Sequence, residues 1–550
     1  MTTIQQMTRG LVAASFALFV SACGGGGGSS APNTESIENT APPAPPPVVE
    51  SSDFAAGVFS PSNEFQASCE VPRTSAAFND AQGTTVDENY WLRSISNELY
   101  LWYDEIVDQD PANFETPVYF DLLRTTALTP SGTPRDQFHF TFDTDEYLAL
   151  TQAGVTVGYG MELALISLSP PREIVVAFTE PNSPASSPEV NLQRGARILE
   201  VDGRDAVLGG TLEDVDAINA GLFPSNEGEA HSFLIEDPDT GATRTVTMIA
   251  QPTVSEPVQN VGTIETAGGP VGYLTFNTHI DTAEAQLYDA MTELSAAGVT
   301  ELVLDMRYNG GGLLLIANQL ASMIAGPAAA SGRVFDELQF NDKHTQFDPV
   351  TGQTLAPDFF RDTTFGRGDS AAGRTLPALN LDRVFVLAGP VTCSASESII
   401  NGLRGIDVEV VLIGEPTCGK PYGFYPLDNC GTTYFTVQFR GVNAKNFGDY
   451  ADGFVPANLT GAPGESIPGC AVADDFSKPL GDPTEARFAA ALNYIENGSC
   501  PAPNVVGASS VTKPSDGKDA MANASQSLSR IAPGPALRMP GSVRMRVESN

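Results

Sequence analysis

The chain has 550 residues, of which 67 are Asp or Glu and 29 are Lys or Arg, so its formal net charge at pH 7 is −38. A charge of this sign and size argues against binding to nucleic acids or to anionic lipids, because both are themselves negative. The length predicts two to four domains.

The N-terminus has the features of an export signal. An apolar run over residues 11–20 is too short to span a membrane and is typical of a signal peptide, here residues 1–22. Residues 20–23, Val-Ser-Ala-Cys, resemble a bacterial lipobox, in which Cys23 becomes the lipidated first residue of the mature chain. The sequence therefore predicts a lipid-anchored protein.

Residues 23–52 are rich in Gly, Ser and Pro and predict a flexible lipidated linker with no packed core. Gly24, rather than an aspartate, follows the lipobox cysteine. By analogy with lipoprotein sorting rules, this predicts an outer-membrane lipoprotein of the bacterial cell envelope, facing the periplasm or the cell surface. The anchor would make the outer membrane a partner of this chain.

Aromatic and aliphatic residues recur at helical spacing over residues 86–106 and again over residues 120–128. This pattern predicts a small helical domain over residues 53–150. An aromatic stripe of this kind is more often part of a core than a ligand site, and we interpret it in that way.

Residues 151–255 predict a separate, β-rich module. Gly158, Tyr159 and Gly160 open a strand and predict a loop that binds the carboxylate of a peptide. Residues 194–203, Arg-Gly-Ala-Arg-Ile-Leu-Glu-Val-Asp-Gly, are similar to a signature of PDZ domains, which bind C-terminal peptides by adding a strand to a sheet edge. The likeness implies that the module recruits substrate tails or gates a neighbouring site; a domain that only packs is the alternative.

A triple glycine follows a buried strand farther along the chain. Residues 302–304 run into Asp-x-Arg-x-Asn and then into the glycines 310–312, which precede an apolar, helix-like segment. Glycines at such a place let backbone N–H groups approach a ligand closely, which suits an oxyanion hole or an anion site. A phosphate-binding loop is the rival, but its Gly-x-x-x-x-Gly-Lys-Ser/Thr pattern is absent.

A serine and a lysine each follow an apolar strand. Residues 384–387 predict a buried strand, after which Ser394 opens a helical pattern; residues 408–413 predict the next strand, after which a glycine-rich loop delivers Lys420. Strand–helix–strand units build a mainly parallel sheet whose sites lie beyond the carboxyl ends of the strands. Both side chains are therefore expected at one edge, where a Ser–Lys pair can perform acyl transfer if the amine is neutral.

A simpler interpretation exists for the serine. Ser394 and Glu397 match the S-x-x-E capping box, in which a serine only satisfies the first N–H groups of a helix. Taken alone, that interpretation has the larger weight. The balance changes because three motifs occur in order: strand–Asp-x-Arg-x-Asn-Gly-Gly, Ser-Ala-Ser-Glu and Gly-Glu-x-Thr-x-Gly-Lys. Together they resemble the S41 serine peptidases, the family of C-terminal processing or tail-specific proteases, over roughly residues 85–500.

The resemblance implies an α/β, multidomain fold: a small helical N-terminal domain, the PDZ-like β-rich domain and a catalytic core of the ClpP/crotonase type over residues 256–500. It also implies residue roles. Ser394 is the nucleophile, Lys420 is the general base, and the backbone N–H groups of Gly311, or an adjacent glycine, and Ala395 form the oxyanion hole. The resemblance implies no cofactor and no metal.

Two positions depart from the family pattern. Many members have a glutamine four residues after the lysine, where it orients the amine, and this chain has Phe424 instead. His279 ends a strand that resembles the first strand of the catalytic domain, where an apolar residue is usual. A branch of the family uses a His–Ser arrangement, so His279 is the alternative base, although a structural histidine is the commoner case. Lys420 ranks first, provided that burial lowers its pKa by several units.

The cysteines agree with export. Besides Cys23 there are six, and an even number in an exported chain predicts disulfides. If the serine and lysine motifs meet, Cys393 and Cys418 lie close enough to bond to each other. The pairs Cys430–Cys470 and Cys69–Cys500 would complete the set. A zinc site is disfavoured because there is no C-x-x-C pair and no nearby pairing of histidines.

The sequence thus predicts an exported lipoprotein serine endopeptidase that cleaves protein or peptide substrates through a Ser–Lys dyad and an acyl-enzyme, with the substrate tail recognised by the PDZ-like domain. The rival is a catalytically inactive peptide- or ligand-binding protein on the same scaffold, an alternative that Phe424 keeps open. A crotonase-like acyl-CoA enzyme is disfavoured, since export separates it from acyl-CoA. Residues 501–550, rich in Pro, Ser, Gly and Ala, predict a disordered tail.

Overall fold

The computed structural model describes residues 54–75 and 78–501, which form a mixed α/β fold with several sheets, as predicted. The signal peptide, Cys23, the linker and the C-terminal tail that the sequence predicts lie outside the described residues. Within the described part, no helix has both the length and the apolar character needed to cross a membrane. The described residues belong to one compact unit, so the domain boundaries near residues 150 and 255 stay predictions.

The first long helix starts where the sequence supplies a cap. Thr84 accepts the N–H of Asp87, whose carboxylate accepts the N–H of Thr84 in return. Trp91 on this helix is buried against Tyr434, so the predicted aromatic core is confirmed. The elements of this region are β1 (Ser68–Cys69), β2 (Ala81–Gln82), α1 (Thr85–Leu99), α2 (Thr116–Leu122), β3 (Phe140–Asp143) and α3 (Thr144–Ala153).

A β-rich module with one helix follows. Its sheet has the order β10-β9-β7-β6-β5, with β8 paired to β7, while β4 pairs with β11. Phe233 and Ile235 lie in its core. The elements are β4 (Val155–Gly158), β5 (Met161–Ser167), β6 (Glu173–Thr179), β7 (Arg197–Val201), β8 (Arg204–Asp205), α4 (Leu212–Leu222), β9 (Ala230–Glu236), β10 (Thr243–Ile249) and β11 (Gln251–Val254).

The remaining residues build the largest part of the fold around a six-stranded sheet of order β12-β13-β14-β17-β18-β25. The elements are β12 (Val258–Thr266), β13 (Gly269–Phe276), α5 (Ala283–Ala296), β14 (Glu301–Asp305), α6 (Leu314–Ala330), β15 (Val334–Gln339), β16 (Asp358–Phe359), β17 (Arg383–Ala388), α7 (Ala395–Gly405), β18 (Glu409–Gly414), β19 (Tyr422–Gly423), β20 (Leu427–Asn429), β21 (Thr432–Phe435), β22 (Phe439–Val442), β23 (Phe454–Pro456), β24 (Glu465–Ile467), β25 (Gly469–Ala471) and α8 (Ala486–Asn497).

The central strands are apolar along their whole length because both faces of the sheet are covered. Strands β13, β14, β17, β18 and β25 are mutually parallel. Alternate residues of each strand enter two different cores: Leu304 and Val386 face the helices α5, α6 and α7, whereas Val303 and Phe385 face α8. Continuous apolar runs are what a parallel sheet buried on both sides requires.

The parallel arrangement positions the predicted motifs. The triple glycine follows β14, Ser394 follows β17, and Lys420 follows β18, so all three leave the sheet at the same edge. A second, four-stranded sheet of order β16-β15-β22-β19 stands beside this edge. The N-terminal region joins the core through β3, which pairs antiparallel with β21.

Three disulfides are present in the described residues. The bond between Cys393 and Cys418 confirms the prediction, with a Cα–Cα distance of 5.2 Å. The other two predicted pairs are wrong, because the structure joins Cys69 to Cys430 and Cys470 to Cys500. Tertiary contacts explain the difference: the N–H of Ala67 donates to Asn429 at 2.8 Å, which holds β1 beside β20, while Cys470 lies on β25, which packs against α8.

Candidate active site

Ser394 stands at the sharp turn between β17 and α7. Its φ of +56° lies in the left-handed region, which non-glycine residues adopt only when their surroundings hold them there. Two backbone bonds do so: the N–H of Ser394 donates to Glu397 at 3.0 Å, and that of Cys393 donates to the carbonyl of Asn309 at 3.1 Å. The turn therefore presents a buried serine at the carboxyl end of the strand.

The Glu397 carboxylate ties the lysine loop to the serine helix. It accepts the N–H groups of Gly419 at 2.9 Å and Lys420 at 2.8 Å, and the hydroxyl of Thr417 at 2.6 Å, besides that of Ser394. Burial raises the pKa of Glu397 to about 7. The acid of the capping motif is therefore more than a local cap, because it fixes the separation between the two predicted catalytic residues.

Lys420 is almost fully buried, with 1% of its surface exposed, and its amine has no hydrogen-bond partner among the described residues. The faces of two rings lie next to the amine: Nζ is 4.1 Å from the ring centre of Phe424 and 4.9 Å from that of Phe138. Burial lowers the pKa of Lys420 to about 7, while the negative charge of Asp136 opposes the shift. The amine is thus neutral in a large fraction of molecules near physiological pH.

His279 is fully buried and pairs with Gly312 in an isolated parallel β-bridge. The amide of Asn309 donates to the carbonyl of Phe276 at 2.8 Å, so its oxygen is the acceptor for His279 Nδ1 at 3.0 Å. This arrangement leaves Nε2 as an unprotonated acceptor, and it has no partner among the described residues. Burial lowers the pKa of His279 to about 3, which keeps the imidazole neutral.

The glycine loop and the start of α7 offer N–H groups of the kind predicted for an oxyanion hole. The N–H of Gly311 donates to Asn309 Oδ1 at 2.9 Å and is therefore already engaged, which favours the adjacent glycine that the prediction also allowed. The adjacent Gly312 and the helix residue Ala395 have N–H groups with no partner within the described residues. A Cβ atom on Gly311 would lie 2.8 Å from that of Ser394, which shows how closely the loop approaches the serine.

These groups share one pocket of about 490 Å³. Ser394, Lys420 and His279 all line it, together with Gly312 and Phe424. The structure therefore brings the predicted nucleophile, the predicted base and the alternative base to a single cavity. A serine beside a buried, unpartnered amine can carry out nucleophilic acyl transfer, with the amine accepting the serine proton.

The predicted carboxylate-binding loop is elsewhere. Gly158 is the last residue of β4, Tyr159 and Gly160 connect it to β5, and none of the three is part of the pocket wall. The ring of Tyr159 is buried against Phe233, and its hydroxyl donates to the carbonyl of Gly221 at 3.0 Å. The tyrosine side chain is thus a core group of the β-rich module, and any role of this loop in binding falls to its backbone.

Cysteine and carboxylate groups do not form a metal site here. Among the described residues, Cys393, Glu397 and Cys418 place their ligand atoms within 4.8 Å of one another, as do Cys69, Glu88 and Cys430. In both groups the sulfurs are bonded to each other, so neither supplies the thiolate that a metal would bind.

Three residues of the site were missed by sequence reasoning. Asn309 lies within the motif that precedes the glycines, but the spacing of the motif does not show that its side chain contacts His279 and Gly311. Phe138 comes from the N-terminal region, more than 280 positions before Lys420 in the chain, and nothing in the sequence links the two. Asp336 lies on β15 and lines the same pocket.

Residues 270–429 match the sequence model described as peptidase family S41. The chain is similar to a carboxyl-terminal-processing protease from Picosynechococcus, with 26% identity over 274 residues, or 50% of this chain and 56% of the relative. It is also similar to a chloroplastic C-terminal processing peptidase from Tetradesmus obliquus, with 32% identity over 185 residues, or 31% of this chain and 38% of the relative. The chain thus spans about half the length of these curated relatives.

The fold has a counterpart among solved structures. A crystal structure described as an S41 protease from Bacteroides fragilis superimposes with a TM-score of 0.56 and 24% identity, and covers 78% of this chain and 100% of its own. At this level of identity the likeness shows a shared fold. It extends well beyond residues 270–429, and so beyond the segment that the family model matches.

Proposed function

We propose that this chain, whose residues 270–429 match the model of peptidase family S41, is a serine endopeptidase that hydrolyses peptide bonds through Ser394 and Lys420. The observation that carries the proposal is a buried, unpartnered lysine amine lining the same pocket as a serine held at a strained turn. The names of the curated relatives, which are both C-terminal processing proteases, agree with this activity.

Acylation uses the neutral amine. Ser394 Oγ attacks the carbonyl carbon of the substrate while Lys420 Nζ takes the hydroxyl proton, so a C–O bond forms and the carbonyl π bond opens to an oxyanion. The N–H groups of Gly312 and Ala395 donate to that oxyanion, each contributing roughly 2.7–4 kcal/mol by comparison with other oxyanion holes. The C–N bond then breaks, and the ammonium of Lys420 returns its proton to the leaving amine.

Deacylation repeats the same steps with water. Lys420 takes a proton from the water molecule, whose oxygen attacks the ester carbon, and the second tetrahedral intermediate collapses with loss of Ser394 Oγ. The serine recovers a proton from the ammonium, and the acid product leaves as a carboxylate. The pKa of Lys420, about 7, suits both directions of transfer because a general base works best with a pKa close to the operating pH.

The two rings take over the place of the glutamine found in many family members. Phe424 and Phe138 hold the amine between their faces, where a cation–π contact stabilises the ammonium that forms during the reaction. The amine therefore needs no hydrogen-bonding amide to orient it. This arrangement argues against the inactive binding protein, because the position of Phe424 is compatible with a working base.

His279 is the less suitable base. Its pKa of about 3 makes the imidazole a poor proton acceptor near neutral pH, whereas Lys420 is matched to that range. We assign His279 the role of a neutral group that accepts a hydrogen bond at the wall of the pocket. Its Nε2 is oriented by the Asn309 contact on Nδ1.

We further propose that the PDZ-like module binds substrate tails and that Cys23 anchors the protein to the outer membrane of a bacterial cell envelope. Peptide binding by the PDZ-like module is supported by β5, which is the edge strand of its sheet and lies next to the loop of Gly158 and Gly160. The second part draws on the lipobox-like sequence alone. Binding of apolar C-terminal peptides to the full chain, and labelling of Cys23 by a lipid precursor in cells, test these two parts.

The activity is tested with unstructured proteins as substrates for the purified full-length chain. We expect cleavage by the wild type, and loss of cleavage in both Ser394→Ala and Lys420→Met with folding intact by circular dichroism. Lys445→Met is the matched control, because that lysine is exposed and pairs with Asp407. Cleavage that survives Lys420→Met but not His279→Ala would move the base to His279. Absence of cleavage by the wild type would favour the binding protein.

A further inference from the structure

The pocket continues past the serine along α7. Ser398, which is one helical turn beyond Ser394, also lines it, and the sheet β16-β15-β22-β19 supplies the wall at this end. Most of the lining here is apolar and includes Leu313, Leu314, Leu338 and Phe439. A side chain of a bound substrate, next to the bond that Ser394 attacks, has this apolar channel available to it.

Three charged side chains interrupt the apolar wall, namely Asp336 and the paired Asp358 and Arg361. Asp336 lies on β15 with only 7% of its surface exposed, and its Oδ1 accepts the N–H of Glu337 at 3.0 Å. This carboxylate packs directly against the backbone of Gly441 on the neighbouring strand β22, where a Cβ atom would lie only 2.7 Å from both oxygens. Gly441 and Asp336 both line the pocket.

Asp336 has no cation to balance it. Within residues 54–75 and 78–501, no lysine, arginine or histidine nitrogen comes within ion-pair distance of Asp336, whereas the nearby Asp358 is paired with Arg361. Burial, together with the negative charges of Asp358 and Glu337, raises the pKa of Asp336 to about 7. A buried carboxylate without a counter-ion is costly, and a cation that entered the pocket would offset that cost.

We propose that this pocket takes a lysine or arginine side chain of the substrate, beside the cleaved bond, and that Asp336 is the residue that selects it. The inference rests on the proposed function of the same site, and it names the substrate class as polypeptides cleaved next to a basic residue.

The shape and charge of the molecule agree with this choice. The aliphatic stem of a lysine or arginine packs along apolar walls while its charged end reaches a polar group, as such side chains do on protein surfaces. The net charge of −38 attracts basic polypeptides towards the protein and repels acidic ones.

The test compares peptides that differ at one residue. Peptides with lysine, norleucine or glutamate next to the cleaved bond are incubated with the full-length chain, and kcat/KM is measured for each. Norleucine matches the stem of lysine without its charge. We expect kcat/KM to be about 10- to 100-fold higher for lysine than for norleucine, the range for a buried charged hydrogen bond, and lowest for glutamate.

Asp336→Asn keeps the shape of the side chain and removes its charge. We expect it to bring the lysine-to-norleucine ratio close to one, while the control Asp449→Asn, at an exposed carboxylate that pairs with Arg440, keeps the wild-type ratio. If Asp336→Asn does not fold, the ratio of kcat/KM for the lysine and norleucine peptides, measured with the wild type, tests the specificity by itself. A ratio of one or below in the wild type overturns the specificity but leaves the peptidase intact. No cleavage of any peptide or unfolded protein overturns both.

Discussion

Two groups of buried polar residues flank the segment after β14, and they are built on opposite principles. The first, here called the ion cluster, consists of Arg194, Asp305, Arg307, Asp474 and Glu485. Arg307 contacts Asp474 at 2.7 Å and both Asp305 and Glu485 at 2.9 Å, while Arg194 contacts Asp474 at 2.6 Å. The second is the pocket around Ser394, in which Lys420 Nζ and His279 Nε2 have no partner among the described residues.

The comparison separates a structural use of charge from a chemical one. Burial opposes the charged forms of Arg307 and Asp474, but their partners outweigh it: the pKa of Arg307 is raised above its usual value and that of Asp474 is lowered, so these two groups keep their charges at any physiological pH. Lys420 is buried to a similar degree without a paired carboxylate, and its pKa falls to about 7. A buried group with oppositely charged partners therefore keeps its charge, whereas a buried amine without such partners loses its proton near neutral pH. Only an amine of the second kind can act as a general base.

The largest expected effect concerns the nucleophile. Ser394→Ala should lower kcat/KM by roughly 10⁴- to 10⁶-fold, as removal of a nucleophile does in other serine hydrolases, because the remaining groups only bind and polarise the substrate. Its free energy of unfolding should change little. Steady-state kinetics and urea unfolding of the same preparation measure both quantities. Residual activity above one per cent would exclude Ser394 as the nucleophile.

Next, removal of a charge should have opposite consequences in the two regions. Arg307→Met leaves the buried carboxylates of Asp305 and Glu485 without their cation, while Asp474 keeps Arg194, so it should reduce the free energy of unfolding by about 3–5 kcal/mol. Lys420→Met removes an unpartnered charge and should leave stability unchanged or raise it, while activity is lost. Urea midpoints at pH 7 report the difference. Equal destabilisation by both substitutions would contradict the distinction between the regions.

The pH dependence should also differ between the regions. The pKa of Lys420 is lowered by burial from 10.5 to about 7, and unfolding restores the usual value. Between about pH 7 and pH 10 the unfolded state binds more protons, so this lysine makes the free energy of unfolding rise with pH in that range; below it, the cost of the buried ammonium is fully present. We expect Lys420→Met to remove that rise.

The same titration should govern the reaction. Since only the neutral amine accepts the serine proton, kcat/KM should rise with pH and level off above an apparent pKa of about 7. A profile recorded between pH 5 and pH 9 measures it. A flat profile over that range would rule out Lys420 as the titrating base.

The smallest expected effect concerns the rings around the amine. Phe424→Leu keeps the pocket apolar but removes a cation–π contact worth about 2 kcal/mol at a desolvated site, so the apparent pKa of the kcat/KM profile should fall by roughly one to 1.5 units. Phe138→Leu, whose ring is farther from Nζ, should lower it less. Phe347→Leu, at an exposed ring, is the matched control. An upward shift in Phe424→Leu would show that the ring mainly excludes water.

Local sequence patterns predicted the elements that carry the chemistry. Apolar runs gave the strands β14, β17 and β18, and the residue types that follow them gave the glycines, Ser394 and Lys420. Parallel strands end at one edge, so these groups were expected to meet, and the disulfide between Cys393 and Cys418 followed from the same logic. Such inferences succeed because they depend on contacts between neighbouring segments of one sheet.

The failures involve residues that are distant in the chain. The pairs Cys69–Cys430 and Cys470–Cys500 depend on how β1 and α8 pack against the core, which no local pattern encodes. The prediction of Gly311 or an adjacent glycine as an oxyanion donor stayed open, because spacing cannot show that the amide oxygen of Asn309 accepts the N–H of Gly311. The place of Phe138 over the lysine amine likewise follows from the docking of the N-terminal region.

The sequence by itself thus determined which side chains reach the edge of the sheet, since the period of the strands and the positions of the glycines are local properties. Tertiary structure alone decided the state of those side chains. Lys420 has the properties of the proposed base because the surrounding elements bury it without pairing it, and Asp336 enters the same pocket because β15 packs beside α7. The whole fold determines how deeply each group is buried and which hydrogen-bond or ion-pair partners it has, and these two properties control its pKa and its reactivity.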